Sequence, residues 1–215
     1  MLRALAAEVP PDERLVTIEQ ALELGLDKQA RHPDCVALEA REPNTEGEGG
    51  IGMADLVRRS LRMGADRVIV GEVLGDEVIA MLNAMSQGRS GSMCTIHAES
   101  SEGVFRRVAS YAVQSPERLS LDAANILLAG ALHLVVHVDH RVPVADDPSS
   151  CGPRRVVSSV REVVGAEGSL VRSNELWVPG GDRRAVPHAP LSEALQAELA
   201  PWGDELVGAG GWTRW

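Results

Sequence analysis

The chain has 215 residues, of which 44% are hydrophobic and only 3% aromatic. That composition suits one large aliphatic-cored domain, or one domain with a small appendage, and favours a buried parallel sheet under helices over an aromatic-rich sandwich. A formal net charge of −10 argues against general nucleic-acid binding, which works by neutralising phosphates; it leaves room for ATP, which needs only a few local cations. Cys35, Cys94 and Cys151 are far apart and form no CxxC pair, so they read as free thiols in a reducing compartment. The opening MLRALAAEVPPDER is too short and too charged for a signal peptide, and no run of about 18 apolar residues occurs. The expectation is a cytoplasmic protein that meets any membrane through a partner.

Residues 2–8 read as the back half of a helix stopped by Pro10 and Pro11. Residues 14–19 (RLVTIE) read as a strand ending in a carboxylate, and 35–41 (CVALEAR) as another. The acidic, glycine-rich stretch 42–52 is a loop. Met53, Leu56, Val57 and Leu61 fall at helical spacing over 53–63, leaving Arg58, Arg59 and Arg62 for the other faces. A strand over 67–73 and a helix over about 76–86 follow, and the turn QGRSGS leads into a strand over 92–97. Helices at 101–112 and 120–130 precede the strand LHLVVHVDHR, 132–141, which is expected to close the same core. This alternation predicts an α/β fold with a mostly parallel sheet flanked by helices. Residues 142–153, with their prolines and aspartates, read as a linker or exposed loop. Beyond them RVVSSVREVVG and SLVRSNELWVPG alternate at period two and predict a small antiparallel hairpin. A short amphipathic helix near 191–199 and a tail with Trp202, Trp212 and Trp215 finish the chain. The expected division is 1–141 for the core and 142–215 for the hairpin extension, helix and tail.

Two segments carry most of the chemistry. The apolar strand Arg67–Val70 delivers Glu72 directly after a glycine, and the segment Ser92–Ile96 delivers His97. Reactive groups at the ends of neighbouring core strands are how a doubly wound α/β domain builds a site. A carboxylate so placed beside phosphates can hold water on Mg²⁺ or polarise an attacking water; many strand-end glutamates are merely solvated. Glu19, ending RLVTIE, is a second such carboxylate, with Glu23 a weaker companion better read as a solvated helix face. His97 can sense a γ-phosphate or hold a glutamate in place, and a lone histidine after a strand is more often structural. Ser100 is a candidate N-cap for the next helix. Arg41, Arg58, Arg62 and Arg67 offer guanidinium forks for phosphate oxygens, against the plainer reading of surface salt bridges. Two other signals are weak. His133 and His137 are four apart in a β-rich stretch without an HExxH glutamate, and GEGGIG holds two acids that repel phosphate.

RVIVGEV, GSMCTIHA, RLVTIE followed by an acidic segment, and the arginines of LEAREPN and DLVRRSLRMGADR occur in an order and spacing that resembles the type II/type IV secretion and pilus-assembly ATPases, the CpaF-like branch in particular. The resemblance is dense over about residues 1–140. It implies a RecA-like P-loop NTPase core, ATP and Mg²⁺ as substrate and cofactor, and a hexameric ring working on a pilus or secretion machine at the cytoplasmic membrane face. An inner-membrane platform protein is the implied partner. It assigns Glu72 to the Walker-B position and the metal, Glu19 to the acidic box and His97 to the histidine box. It gives Arg41, Arg58, Arg62 and Arg67 to phosphate binding, in cis or as fingers towards a neighbouring subunit.

The sequence departs from the family pattern at Leu74, where Arg is usual, at Gly64 and Ala65, where Arg-Pro is usual, and at Arg89 and Ser90 in the turn before the Gly-Ser pair. The larger departure is that no GxxxxGK[ST] loop occurs, and Lys28, the one lysine, lies in GLDKQAR. The expectation is a C-terminal part of a longer ATPase, with little hydrolysis of its own. The competing expectation is a non-catalytic assembly module that keeps the fold and joins a ring of full-length paralogues.

Overall fold

The computed structural model describes residues 1–88, 91–140 and 155–202. The linker 142–153, the turn residues Arg89 and Ser90, Cys151 and the tail beyond 202 lie outside the described residues.

Strands β1 (Leu15–Glu19), β2 (Cys35–Glu39), β3 (Arg67–Val70) and β4 (Met93–Cys94) form a sheet of order β2-β1-β3-β4. All its pairings are parallel, with Leu15 beside both Cys35 and Arg67. Every residue of β1 is buried, as a central strand covered on both faces requires. Its pleat sends alternate side chains to two different cores. Val16 and Ile18, with Val68 and Val70, face the larger core under α2 (Met53–Ser60), α3 (Glu77–Ser86), α4 (Gly103–Gln114) and α5 (Leu121–Ala131). Leu15 and Ile69 face a smaller one closed by Leu2 and Ala6 of α1 (Leu2–Ala6), by Val9 and by Leu26. This is the α/β arrangement with a mostly parallel sheet that strand–helix alternation predicts, and all four core strands and α2–α5 fall where the sequence places them.

Strand β5 (Leu134–His140) does not close that sheet as its sequence led us to expect. It is instead the edge strand of a second sheet, β5-β6-β7-β8, in which it pairs antiparallel with β6 (Arg155–Glu167), followed by β7 (Leu170–Pro179) and β8 (Ala185–Pro187). The physical reason lies in its pattern. Val135 is buried against the large core while Leu134 is 42% and Val136 37% exposed, the one-sided alternation of an antiparallel strand rather than the two-sided burial of β1. The antiparallel sheet therefore starts at Leu134, eight residues earlier than the linker suggested. The hairpin 155–179 itself follows the period-two reading. The short β8 and a 3₁₀ turn at Leu26–Lys28 were not foreseen. Helix α6 (Glu193–Leu199) seats Leu195, with Leu191, on Leu176 of β7. No helix among the described residues is long and apolar enough to cross a membrane.

Candidate functional site

Because all four core strands run the same way, their C-terminal ends share one rim of the sheet. There β1 ends in Glu19, β3 leads through Gly71 to Glu72, and β4 leads to His97. These strands are adjacent, so two carboxylates and an imidazole converge.

Glu72 and His97 meet directly, with His97 Nε2 2.6 Å from Glu72 Oε1, and the imidazole is 86% exposed. The Thr-x-His spacing explains the meeting. Thr95 donates its hydroxyl to the Gly71 carbonyl at 2.5 Å and accepts from Val73 N–H at 2.8 Å, which extends the β4 ladder past Cys94. His97, two residues on, reaches Glu72. The ring is bordered by water, so the pair is an exposed contact of small worth to folding.

Glu19 is different. It is only 3% exposed. Its Oε2 accepts the backbone N–H groups of Glu23 and Leu24, both at 2.8 Å, folding the turn after β1. Its Oε1 is buried with no partner among the described residues, and so is Thr17 Oγ1 one pleat deeper on the same face. Bare buried carboxylate oxygens are costly, and this one leaves an acceptor unused at the rim.

Gly71 makes the convergence possible. A Cβ on it would sit 3.0 Å from Glu19 Cγ. The glycine before Glu72 is therefore a gap into which the Glu19 side chain folds. Glu77, which the sequence reading passed over, holds the next stretch. It is 5% exposed, and its Oε1 accepts from the N–H groups of Leu74 and, at 3.0 Å, Gly75. A glutamate in the first turn of α3, behind Gly75-Asp76, is the signal that marks it.

The arginines divide. Arg41 follows β2 at the same rim, and its Nε donates to the Gly49 carbonyl at 2.6 Å while its backbone bridges Ile51. Arg58 lies on α2, ion-paired to Asp55 at 3.1 Å and Glu117 at 3.3 Å. The chain after α2 comes back to the opposite rim, where Arg14 Nε donates to Met63 O at 2.9 Å, so Arg62 lies towards that side. Arg67 opens β3, five residues or roughly 16 Å of extended chain from Glu72. It forks onto Glu13 and rests over Gly91, where a Cβ would lie 1.8 Å from its Nη1 and φ is +77°. The Glu13 partnership holds the guanidinium above its usual range. The Gly-Ser pair has structural work of its own, since Ser92 Oγ accepts from Val68 N–H at 3.0 Å. The structure thus brings Glu19, Arg41, Glu72 and His97 to one rim and leaves Arg58, Arg62 and Arg67 away from it. Ser100 Oγ accepts from Gly103 N–H at 3.0 Å, at the start of α4.

Open α/β sheets bind ligands outside the C-terminal ends of their strands, and that is the rim at which these groups stand. The chain belongs to the type II/IV secretion system protein family, whose model matches residues 1–158. A Mycobacterium tuberculosis protein provisionally named for conjugal transfer is 40% identical over 138 residues, 64% of this chain and 38% of the relative. The Bordetella pertussis type IV secretion system protein PtlH is 32% identical over 143 residues, 66% of this chain and 41% of its own. VirB11 of Brucella suis is 34% identical over 148 residues, 66% and 39% respectively. The crystal structure of the Brucella suis VirB11 ATPase from the type IV secretion system, in complex with sulphate, superposes with a TM-score of 0.60 at 32% identity. That match covers 74% of this chain and 43% of VirB11. Over that stretch the fold is that of the matched part of the VirB11 ATPase. The chain spans about two-fifths of the length of the curated relatives it matches.

Proposed function

We propose that this chain carries the carboxylate–histidine side of an ATP-hydrolysing site in a motor subunit of a pilus-assembly or type II/IV secretion machine. The observation that carries the reading is the convergence of Glu19, Glu72 and His97 on three adjacent strand ends, with one Glu19 oxygen buried and unpartnered.

ATP is the substrate, and the donor set fits the Mg²⁺ that accompanies it. Among the described residues no group of three or more His, Cys, Asp and Glu side chains gathers into a metal cage. Mg²⁺ does not require one, since it takes one or two carboxylates together with phosphate oxygens and waters. Glu72 and the bare Glu19 oxygen are the candidate ligands, directly or through water, and Mg²⁺ would supply charge neutralisation at the phosphates.

In this reading Glu72 orients and polarises the attacking water. His97 holds Glu72 and, once the terminal phosphate leaves, is free to follow it. Glu19 fixes the position of its neighbours through the turn 20–24 and offers its second oxygen to the metal shell. Arg41 at the same rim is the candidate phosphate contact in cis. Arg58, Arg62 and Arg67 serve in trans across the boundary of a hexameric ring, and Arg67 must first give up Glu13. The ring, an inner-membrane platform partner and a place at the cytoplasmic face of the membrane belong to the same proposal.

These 215 residues contain no GxxxxGK[ST] loop, whose backbone N–H groups and lysine would cradle the phosphates. We therefore expect negligible turnover from the chain by itself. A ring module without catalysis is the second reading that this sequence favours. The test is ATP turnover by the chain alone and by the chain joined to a phosphate-loop segment from a family member. Turnover in the joined protein, lost in Glu72→Gln, supports the motor reading. A joined protein that binds ATP and assembles but never hydrolyses it supports the module. Glu72-dependent turnover by the bare chain overturns the expectation of inactivity.

A further inference from the structure

We propose that Arg161, on β6, is a positioning residue for His97, acting through Ser101 to tie the histidine loop to the antiparallel sheet. The inference rests on the reading of His97 as part of the site. Its test reads the ring's position rather than hydrolysis.

The His97 ring is 86% exposed and touches Glu72. Packing does not orient it, so its place is set by the backbone of residues 95–102. On the N-terminal side Thr95 pins that backbone to Gly71 and Val73. On the C-terminal side the anchor is Ser101, which is 2% exposed. Its hydroxyl accepts from Ser159 Oγ at 2.6 Å and from Arg161 Nε at 3.2 Å.

Arg161 is built to hold still. Its side chain is 13% exposed, and the rest of the guanidinium is spent on β7, with Nη1 donating to Ser173 Oγ at 3.2 Å and Nη2 3.1 Å from Glu175 Oε2. A guanidinium so far out of water is costly unless its donors are engaged, and its rigid fork engages several partners at once. Two of its three nitrogens thus lock it to the β6–β7 hairpin, and the third reaches the loop. Around this contact the loop and sheet are parted by an open polar cleft of about 670 Å³, lined among others by Glu99, Ser100, His137 and Arg183. The Ser101 cluster is thus a buried polar contact at the wall of that cleft. A shift of the hairpin is passed to Ser101, and four residues back to His97. The antiparallel sheet is in this way a lever on the site, through an arrangement whose coupling is measurable.

The experiment uses the full chain labelled with ¹⁵N-histidine, with imidazole ¹H–¹⁵N correlations recorded and the His97 signal identified by His97→Gln. Arg161→Gln is expected to move the His97 signal and to leave those of His32 and His188 in place. Arg161→Lys, which keeps the charge and one donor, moves it less. Arg183→Gln, which removes an arginine of the same cleft that pairs with Asp139 instead, leaves it unmoved. An unmoved His97 signal in Arg161→Gln overturns the proposal, and so does a general shift of all histidine signals. Should Arg161→Gln not fold, Ser159→Ala removes Ser101's other partner and carries the same expectation. Absent ATP turnover in the joined protein would count against the functional reading and leave the ring shift standing. An unmoved ring beside normal turnover would do the reverse.

Discussion

Gly71→Ala is the perturbation with the most specific consequence. The new methyl would sit 3.0 Å from Glu19 Cγ, and Glu19 cannot swing away cheaply, because its Oε2 holds the N–H groups of Glu23 and Leu24. Overpacking of a fixed interior neighbour costs about 1–3 kcal/mol. At this chain length that corresponds to roughly 2–12 °C in Tm, from about 2–4 °C per kcal/mol. Glu19→Ala removes the obstructing Cγ. In that background Gly71→Ala becomes neutral or gains about 0.4–1 kcal/mol from the smaller entropy of its unfolded state. Glu19→Ala by itself costs about 1–3 kcal/mol through the stranded N–H groups. Urea denaturation of the four proteins of the cycle gives the coupling directly. The expected value is about 1–4 kcal/mol, with the double variant more stable than additivity allows. Additive effects would mean that Glu19 does not fill the space above Gly71, and the convergence of β1 and β3 at the site would fall with it.

His97→Gln should change unfolding free energy by less than about 1 kcal/mol, because the Glu72 contact is exposed; a larger loss by denaturant titration would make His97 a structural residue. Arg67→Met strips Glu13 of a two-pronged partner and should cost about 1–3 kcal/mol in the same assay. Glu77→Ala leaves the Leu74 and Gly75 N–H groups unpaired and should destabilise more than Glu77→Gln, which keeps an acceptor; equal losses would show that the cap is not the reason for the residue. Burial pushes the Cys94 thiol up to about 11. Burial, then Asp27, Asp34 and Glu19, pushes Cys35 to about 11 as well. Both thiols then stay neutral in the fold above the ordinary thiol value of 9.0, so the folded state binds more protons than the unfolded one. Their contribution to stability is complete below about pH 9 and is lost as pH rises through about 11. Peptide mapping after brief alkylation near pH 8, ~1 unit below an ordinary thiol, should find both residues largely unmodified, and rapid labelling of either would contradict the burial.

The strand RVIVGEV and the segments RLVTIE and TIHA announce their places because a buried parallel strand carries no charged side chain, so the first carboxylate or imidazole after it marks the rim. That is why the positions of Glu19, Glu72 and His97 were legible in the sequence. The role of Gly71 was not, since the Glu19 side chain that fills its Cβ space comes from 52 residues earlier in the chain. Arg67 matched a pattern of arginines, yet only the fold reveals that Glu13 claims it and that strand direction carries it to the far rim. Strand 134–140 was misplaced because its apolar content looked like core, although His137 and Asp139, on the same face as buried Val135, are residues that a strand buried on both faces would not carry. Ser101 lies 58 residues from Ser159 and 60 from Arg161, so nothing local in the sequence pairs them; a buried serine is recognisable only when its partner is known.

The most direct test of the central claim is ATP turnover by the chain joined to a phosphate-loop segment, measured for the parent, Glu72→Gln, Glu19→Gln and His97→Gln, with nucleotide binding measured in parallel. The account predicts turnover in the parent, loss of at least about tenfold in each variant, about 1.4 kcal/mol of barrier or more, and binding retained in Glu72→Gln. Undiminished turnover in Glu72→Gln and Glu19→Gln would contradict it.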